Sequence, residues 1–76
     1  MINQNDIQQL RIHPSGMEIT LKDGRTGHEL FADYPRLANA NNIQRENYIL
    51  SHFGIHWPDL DEDLSYDGFF ATHHKA

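Results

Sequence analysis

The chain has no cysteine among its 76 residues. Neither a disulfide framework nor a thiolate metal site can therefore staple it. It also lacks a basic cluster. Its six Lys and Arg residues are Arg11, Lys22, Arg25, Arg36, Arg45 and Lys75, scattered singly in a chain of net charge −5. Nucleic-acid binding needs a cationic face that displaces counterions from phosphates, so this chain alone is not expected to bind nucleic acid. No apolar run approaches the ~20 residues of a membrane span. The start, Met1-Ile2-Asn3-Gln4-Asn5, lacks the apolar stretch of a signal peptide. The expectation is a cytoplasmic protein with no membrane partner. The length implies one domain over 1–76, with loose tails at 1–5 and 72–76. A core this thin supports a net stability of about 3–5 kcal/mol.

What the sequence does contain is a run of strand and turn signals. Residues 7–13 read as a strand, with Leu10 and Ile12 alternating with polar neighbours. His13-Pro14-Ser15-Gly16 is a turn, since proline presets φ and glycine allows φ > 0. Met17-Glu18-Ile19-Thr20-Leu21 alternates cleanly. Pairing 13 with 16 sets Ile12 opposite Met17, Leu10 opposite Ile19, and Arg11 opposite Glu18. Lys22-Asp23-Gly24-Arg25 signals a second hairpin. Two registers are open for the third strand, at about 25–31. A two-residue turn faces Thr26, His28 and Leu30 inward. A three-residue loop with Gly24 as a bulge aligns Arg25, Gly27, Glu29 and Phe31. Neither face is cleanly apolar, which places this strand at an edge or makes it short.

Pro35 sits near the first position of a short helical turn. Asn41 and Gln44 form a capping-box pair for a helix over about 43–51, which buries some of Ile43, Tyr48, Ile49 and Leu50. Gly54 breaks it. Residues 53–57 return to the sheet as an extended segment, and Pro58 ends them. Ser65 caps a last short helix through Phe70. The fold class is α+β: a small antiparallel sheet of about three to four strands, made of two hairpins and a returning strand, packed by two or three short helices.

The densest stretch is Gly54-Ile55-His56-Trp57-Pro58-Asp59-Leu60-Asp61-Glu62-Asp63-Leu64, which holds the only tryptophan. Here the chain resembles a bacterial family of small proteins known as domain of unknown function 2442. Asp23-Gly24-Arg25 is similar to that family's hairpin, and Tyr34-Pro35-Arg36-Leu37 to its proline-arginine-leucine segment. Gln44-Arg45, Asn47 and Tyr48 are similar to its middle helix. The resemblance makes Pro35, Arg36, Leu37, Gly54, His56, Trp57, Pro58, Asp61 and Asp63 the structural signature. It implies a small antiparallel α+β unit of largely unassigned role. It also implies genes set beside a second small protein, in arrangements resembling toxin–antitoxin pairs. Gly27 and Glu29 stand where the family usually has apolar residues. Some relatives add a helix-turn-helix domain, for which this chain has no room.

Asp59, Asp61 and Asp63 have the spacing of the first three ligands of an EF-hand. Its glycine position is Leu64 here and its glutamate position is Phe70, so the calcium reading fails. His52 and His56 on one strand are ~13 Å apart, too far for easy chelation. No metal or cofactor is expected. The serines have turn or cap roles, which leaves no nucleophile, and the chain reads as non-enzymatic. Trp57 reads as a core anchor, since an indole buries 150–250 Å². Arg36 has the charge to pair with Asp61 or Asp63. The resulting expectation is a protein–protein interaction module, the antitoxin-like half of a two-protein unit. Asp59, Asp61, Glu62, Asp63 and Phe70 then meet a small basic partner. The alternatives are a divalent-metal-binding or hydrolytic protein using Asp59, Asp61 and Asp63, and a structural homodimer joined through an edge strand.

Overall fold

Leucine and isoleucine at alternate positions bring residues 7–21 together as an antiparallel hairpin. The computed structural model describes residues 1–71; the tail expected at 72–76 lies outside them. Strand β1 (Ile7–His13) pairs with β2 (Gly16–Leu21) in the expected register, with Ile12 opposite Met17, Leu10 opposite Ile19 and Arg11 opposite Glu18. A bulge falls between Ile7 and Gln9. Met17, Ile19 and Leu21 turn inward and are buried.

Strand β3 (Thr26–Leu30) continues the sheet in the order β1-β2-β3. Of the two registers open from the sequence, the bulged one forms. The Leu21 amide donates to the Arg25 carbonyl at 2.8 Å, and Gly24 adopts φ +96°, a conformation glycine takes at little cost. Gly27, Glu29 and Phe31 therefore face inward, and Thr26, His28 and Leu30 face out. Glu29 is only 4% exposed; the Tyr34 hydroxyl donates to its carboxylate.

A 3-10 turn (Phe31–Asp33) leads into α1 (Pro35–Ala38), which buries Leu37. Asn41 and Gln44 cap α2 (Asn42–Glu46) reciprocally, as expected. The helix then ends five residues short of the expected Ser51. Asn47 leaves helical geometry at φ −89° and ψ 75°. Ile49–Leu50 instead forms strand β4, because Ile49 and Leu50 pair with His56 and Ile55 across a tight connection. Tyr48 and Leu50 pack against the core, while Ile43 and Ile49 stay exposed.

The returning segment is β5 (Gly54–Trp57), and it does not join the first sheet. It forms the centre of a second antiparallel sheet, β4-β5-β6, with β6 at Glu62–Ser65. Gly54 is thus a strand residue and not a helix break. A Cβ there would lie 2.6 Å from the Leu64 carbonyl oxygen. The acidic stretch divides between a turn over residues 58–61 and the start of β6. Ser65 Oγ still accepts the Gly68 amide at the head of a 3-10 turn (Asp67–Phe70).

One apolar cluster joins the two sheets: Met17, Ile19 and Leu21 from the first, Ile55, Trp57 and Leu64 from the second, with Phe31, Leu37, Tyr66 and Phe69 between. The first residues bond to the rest of the chain. Asn3 caps a 3-10 turn (Gln4–Asp6). The Ile2 amide donates to Asp67 at 2.7 Å and the Gln4 amide to the His52 carbonyl at 2.8 Å.

Candidate interaction surface

The β4-β5-β6 sheet is half-buried, so its side chains divide by the two-residue period of a strand. Ile55, Trp57 and Leu64 go to the core. Ile49, His56 and Asp63 form a cross-strand row on the outside, since His56 lies opposite both Ile49 and Asp63. His56 Nδ1 and Asp63 Oδ1 are 2.8 Å apart. Ile49 is 56% exposed and Phe53, in the β4–β5 connection, is 47% exposed. The His52 ring stands edge-on to Phe53 at 4.2 Å.

The inner face explains why this row is held so firmly. The Trp57 side chain is fully buried, and its Nε1 donates to the Arg45 carbonyl at 2.9 Å. Buried indole N–H groups normally find such a partner. Arg45 ties several elements together. It donates to the carbonyls of Leu37, Ala38 and Pro14, and its guanidinium lies 4.3 Å over the Phe31 ring. The Tyr66 hydroxyl donates to the Ser51 carbonyl at 2.7 Å, and burial pushes its pKa up. Tyr34 is pushed up too, by burial first and then by its bond to Glu29. Sequence reasoning missed Arg45, Glu29, Tyr34 and Tyr66. For Glu29 the bulged register of the third strand was the one signal; Arg45 and Tyr66 stand between polar neighbours in the sequence.

Pro58, Asp59, Leu60 and Asp61 make the β5–β6 turn. The three aspartates around it have separate attachments. Asn47 Nδ2 donates to Asp59 at 2.8 Å, and Asp63 meets His56. Arg36 does reach Asp61, but through the main-chain carbonyl and not the carboxylate that the charge pattern suggested. Asp61 has φ +49°, left-handed backbone that aspartate tolerates better than most residues. Glu62 accepts the Asp63 amide at 3.1 Å. Asp59, Asp61 and Asp63 thus surround one turn with their side chains exposed. Among the described residues no three His, Asp or Glu side chains gather as a metal site would require.

Phe70 is not part of this surface. It packs beside Gly27, under the Arg25 guanidinium at 5.9 Å, at the edge of the first sheet. Ser51 Oγ donates to the Gly54 carbonyl at 2.8 Å, and Ser65 holds Gly68. Among the described residues no helix is long and apolar enough to cross a membrane.

No curated protein and no solved structure matches the chain. The family described as protein of unknown function (DUF2442) matches it over residues 7–74. The match spans nearly the whole sequence, and the chain belongs to the DUF2442 family.

Proposed function

We propose that this chain is a non-enzymatic interaction module that docks a small basic protein on the outer face of β4-β5-β6, as the antitoxin-like half of a two-protein cytoplasmic unit. The observation that carries this reading is the pairing of exposed apolar and acidic groups on one face. Ile49, 56% exposed, shares the outer row with His56 and Asp63, while Phe53, 47% exposed, lies at the end of the sheet away from the turn that bears Asp59 and Asp61. Apolar anchors inside a charged rim are the usual anatomy of a protein interface. The net charge of −5 favours a basic partner. The gene arrangement that the family resemblance implies points to the neighbouring gene product as that partner.

The test is co-expression with that product, followed by size-exclusion chromatography at micromolar concentration. Co-elution is expected, with loss of the complex when Ile49→Lys and Phe53→Asp are combined. Each has about half its surface left to bury, which contributes about 0.7–1.5 kcal/mol apiece, so the double variant should weaken binding at least tenfold. Separate elution of the native proteins, or a complex indifferent to both substitutions, overturns the reading.

A further inference from the structure

The outer row of β4-β5-β6 holds one ring whose hydrogen-bonding sense is fixed by its neighbour. His56 sits at the centre of the row, opposite Ile49 on one side and Asp63 on the other. Its Nδ1 lies 2.8 Å from Asp63 Oδ1. An ionised carboxylate only accepts, so Nδ1 carries the proton, and in the neutral ring Nε2 is an acceptor. Among the described residues Nε2 has no partner. The side chain is 37% exposed, so the ring is within reach of a docked protein.

Few groups surround the ring. Strand β4 offers Ile49 and Leu50, neither of them charged. Strand β6 offers Asp63, while Glu62 stands opposite Trp57 and so belongs to the inner face. His52 lies in the connection before β5, and Asp59 and Asp61 in the turn after it. Asn47 holds Asp59, and the His52 ring stands against Phe53. Asp63 is thus the carboxylate bonded to His56. Proton uptake changes the row in two ways at once. Nε2 turns from acceptor to donor, and the new positive charge cancels that of Asp63. A basic partner brings N–H donors and cations, so it favours the neutral ring. Imidazole is the side chain that ordinarily changes charge between about pH 5 and 8.

We propose that His56 is an acid-sensitive specificity residue of the docking face. Held neutral by the Asp63 bond, it accepts a hydrogen bond at Nε2 from a Lys, Arg or main-chain N–H of the partner. One proton taken up at Nε2 releases that partner. This role presupposes the docking face proposed above and adds its regulation. Linkage makes the effect reciprocal: a bound partner keeps His56 neutral to a lower pH than in the free chain.

The test measures affinity for the neighbouring gene product by titration calorimetry at about pH 8 and about pH 5.5. The native chain should bind about tenfold more weakly at the lower pH, as loss of one hydrogen bond from a charged donor implies. His56→Gln keeps an acceptor that takes up no proton and should remove most of that difference. His52→Gln leaves His56 in place and should retain it. Nitrogen NMR of the free chain at the higher pH should show the proton on Nδ1. A native complex indifferent to pH, a difference that persists in His56→Gln or vanishes in His52→Gln, or a proton on Nε2 in the free chain overturns the role of His56 and leaves the docking face standing. No complex at either pH removes both.

Discussion

Replacing Gly27 with alanine tests the fold by its sign. In a strand this change is ordinarily favourable, by about 0.5–1 kcal/mol, because alanine restricts the unfolded chain. Here the new Cβ would sit 2.5 Å from the Phe69 carbonyl oxygen, 2.9 Å from its carbon and 2.9 Å from Phe70 Cδ1. Ordinary contact begins at 3.4 Å, so the oxygen must retreat by about 0.9 Å. The phenyl ring of Phe70 can swing away. The carbonyl belongs to the backbone and has no rotamer to change.

The 3-10 turn at Asp67–Phe70 must then lift off β3, loosening Phe69, which is 3% exposed. Overpacking of this kind costs about 1–3 kcal/mol. After the favourable term, Gly27→Ala should lose about 0.5–2 kcal/mol, a large part of the ~3–5 kcal/mol expected for this size. Tm should fall by roughly 2–16 °C, at about 4–8 °C per kcal/mol. Urea unfolding followed by far-UV circular dichroism reads the difference, with an unchanged m-value showing that the native state stays closed. An alanine variant as stable as the native chain, or more so, refutes the packing of the last turn against β3.

Trp57→Phe loses the bond to the Arg45 carbonyl and strands that acceptor in the core. A loss of about 2–4 kcal/mol is expected from the unsatisfied carbonyl plus the cavity, measured by the same urea titration; a loss below ~1 kcal/mol removes Trp57 as the centre of the core. Asp61→Gly relieves a left-handed residue while keeping the carbonyl that Arg36 holds. Stability should rise by about 0.5–1 kcal/mol even as affinity for a basic partner falls; a drop in stability shows that the Asp61 carboxylate has a structural task. Tyr34 and Tyr66 both have pKa values raised in the folded chain, chiefly by burial. A raised pKa means their neutral forms favour folding below the ordinary tyrosine value, and that contribution is lost as pH rises through the folded value. Stability should therefore fall above about pH 10, and a phenolate absorbance titration should show these two tyrosines ionising only as the chain unfolds. Free titration of Tyr34 and Tyr66 in the native state contradicts their burial.

The first hairpin was legible because its determinants are local. Alternation over residues 7–21 sets two faces, and the Pro14-Ser15-Gly16 turn sets the pairing. The capping pair Asn41 and Gln44 was legible for the same reason. The end of α2 was not. Tyr48, Ile49 and Leu50 form a short apolar run, which periodicity cannot assign to helix or strand. Their partners, Ile55 and His56, decided it, and so created a second sheet. The acidic turn shows the same division. The spacing of Asp59, Asp61 and Asp63 could be read, but their attachments to Asn47, Arg36 and His56 depend on tertiary placement. Arg45 was the hardest to foresee, because it bonds to main-chain carbonyls, which every residue offers.

Those attachments bear on whether the acidic turn is structural or functional. Asp59 and Asp63 each commit one carboxylate oxygen to a neighbour and leave side-chain surface exposed, while Asp61 is held through its backbone. The turn is thereby fixed at three points around residues 59–63 before any partner arrives. Binding usually costs about 0.5–1.5 kcal/mol for every rotamer-rich side chain it orders. A prearranged acidic rim avoids much of that cost. For the basic partner proposed above, the bonds that stiffen the turn would also prepare it, so that one set of contacts can serve both roles.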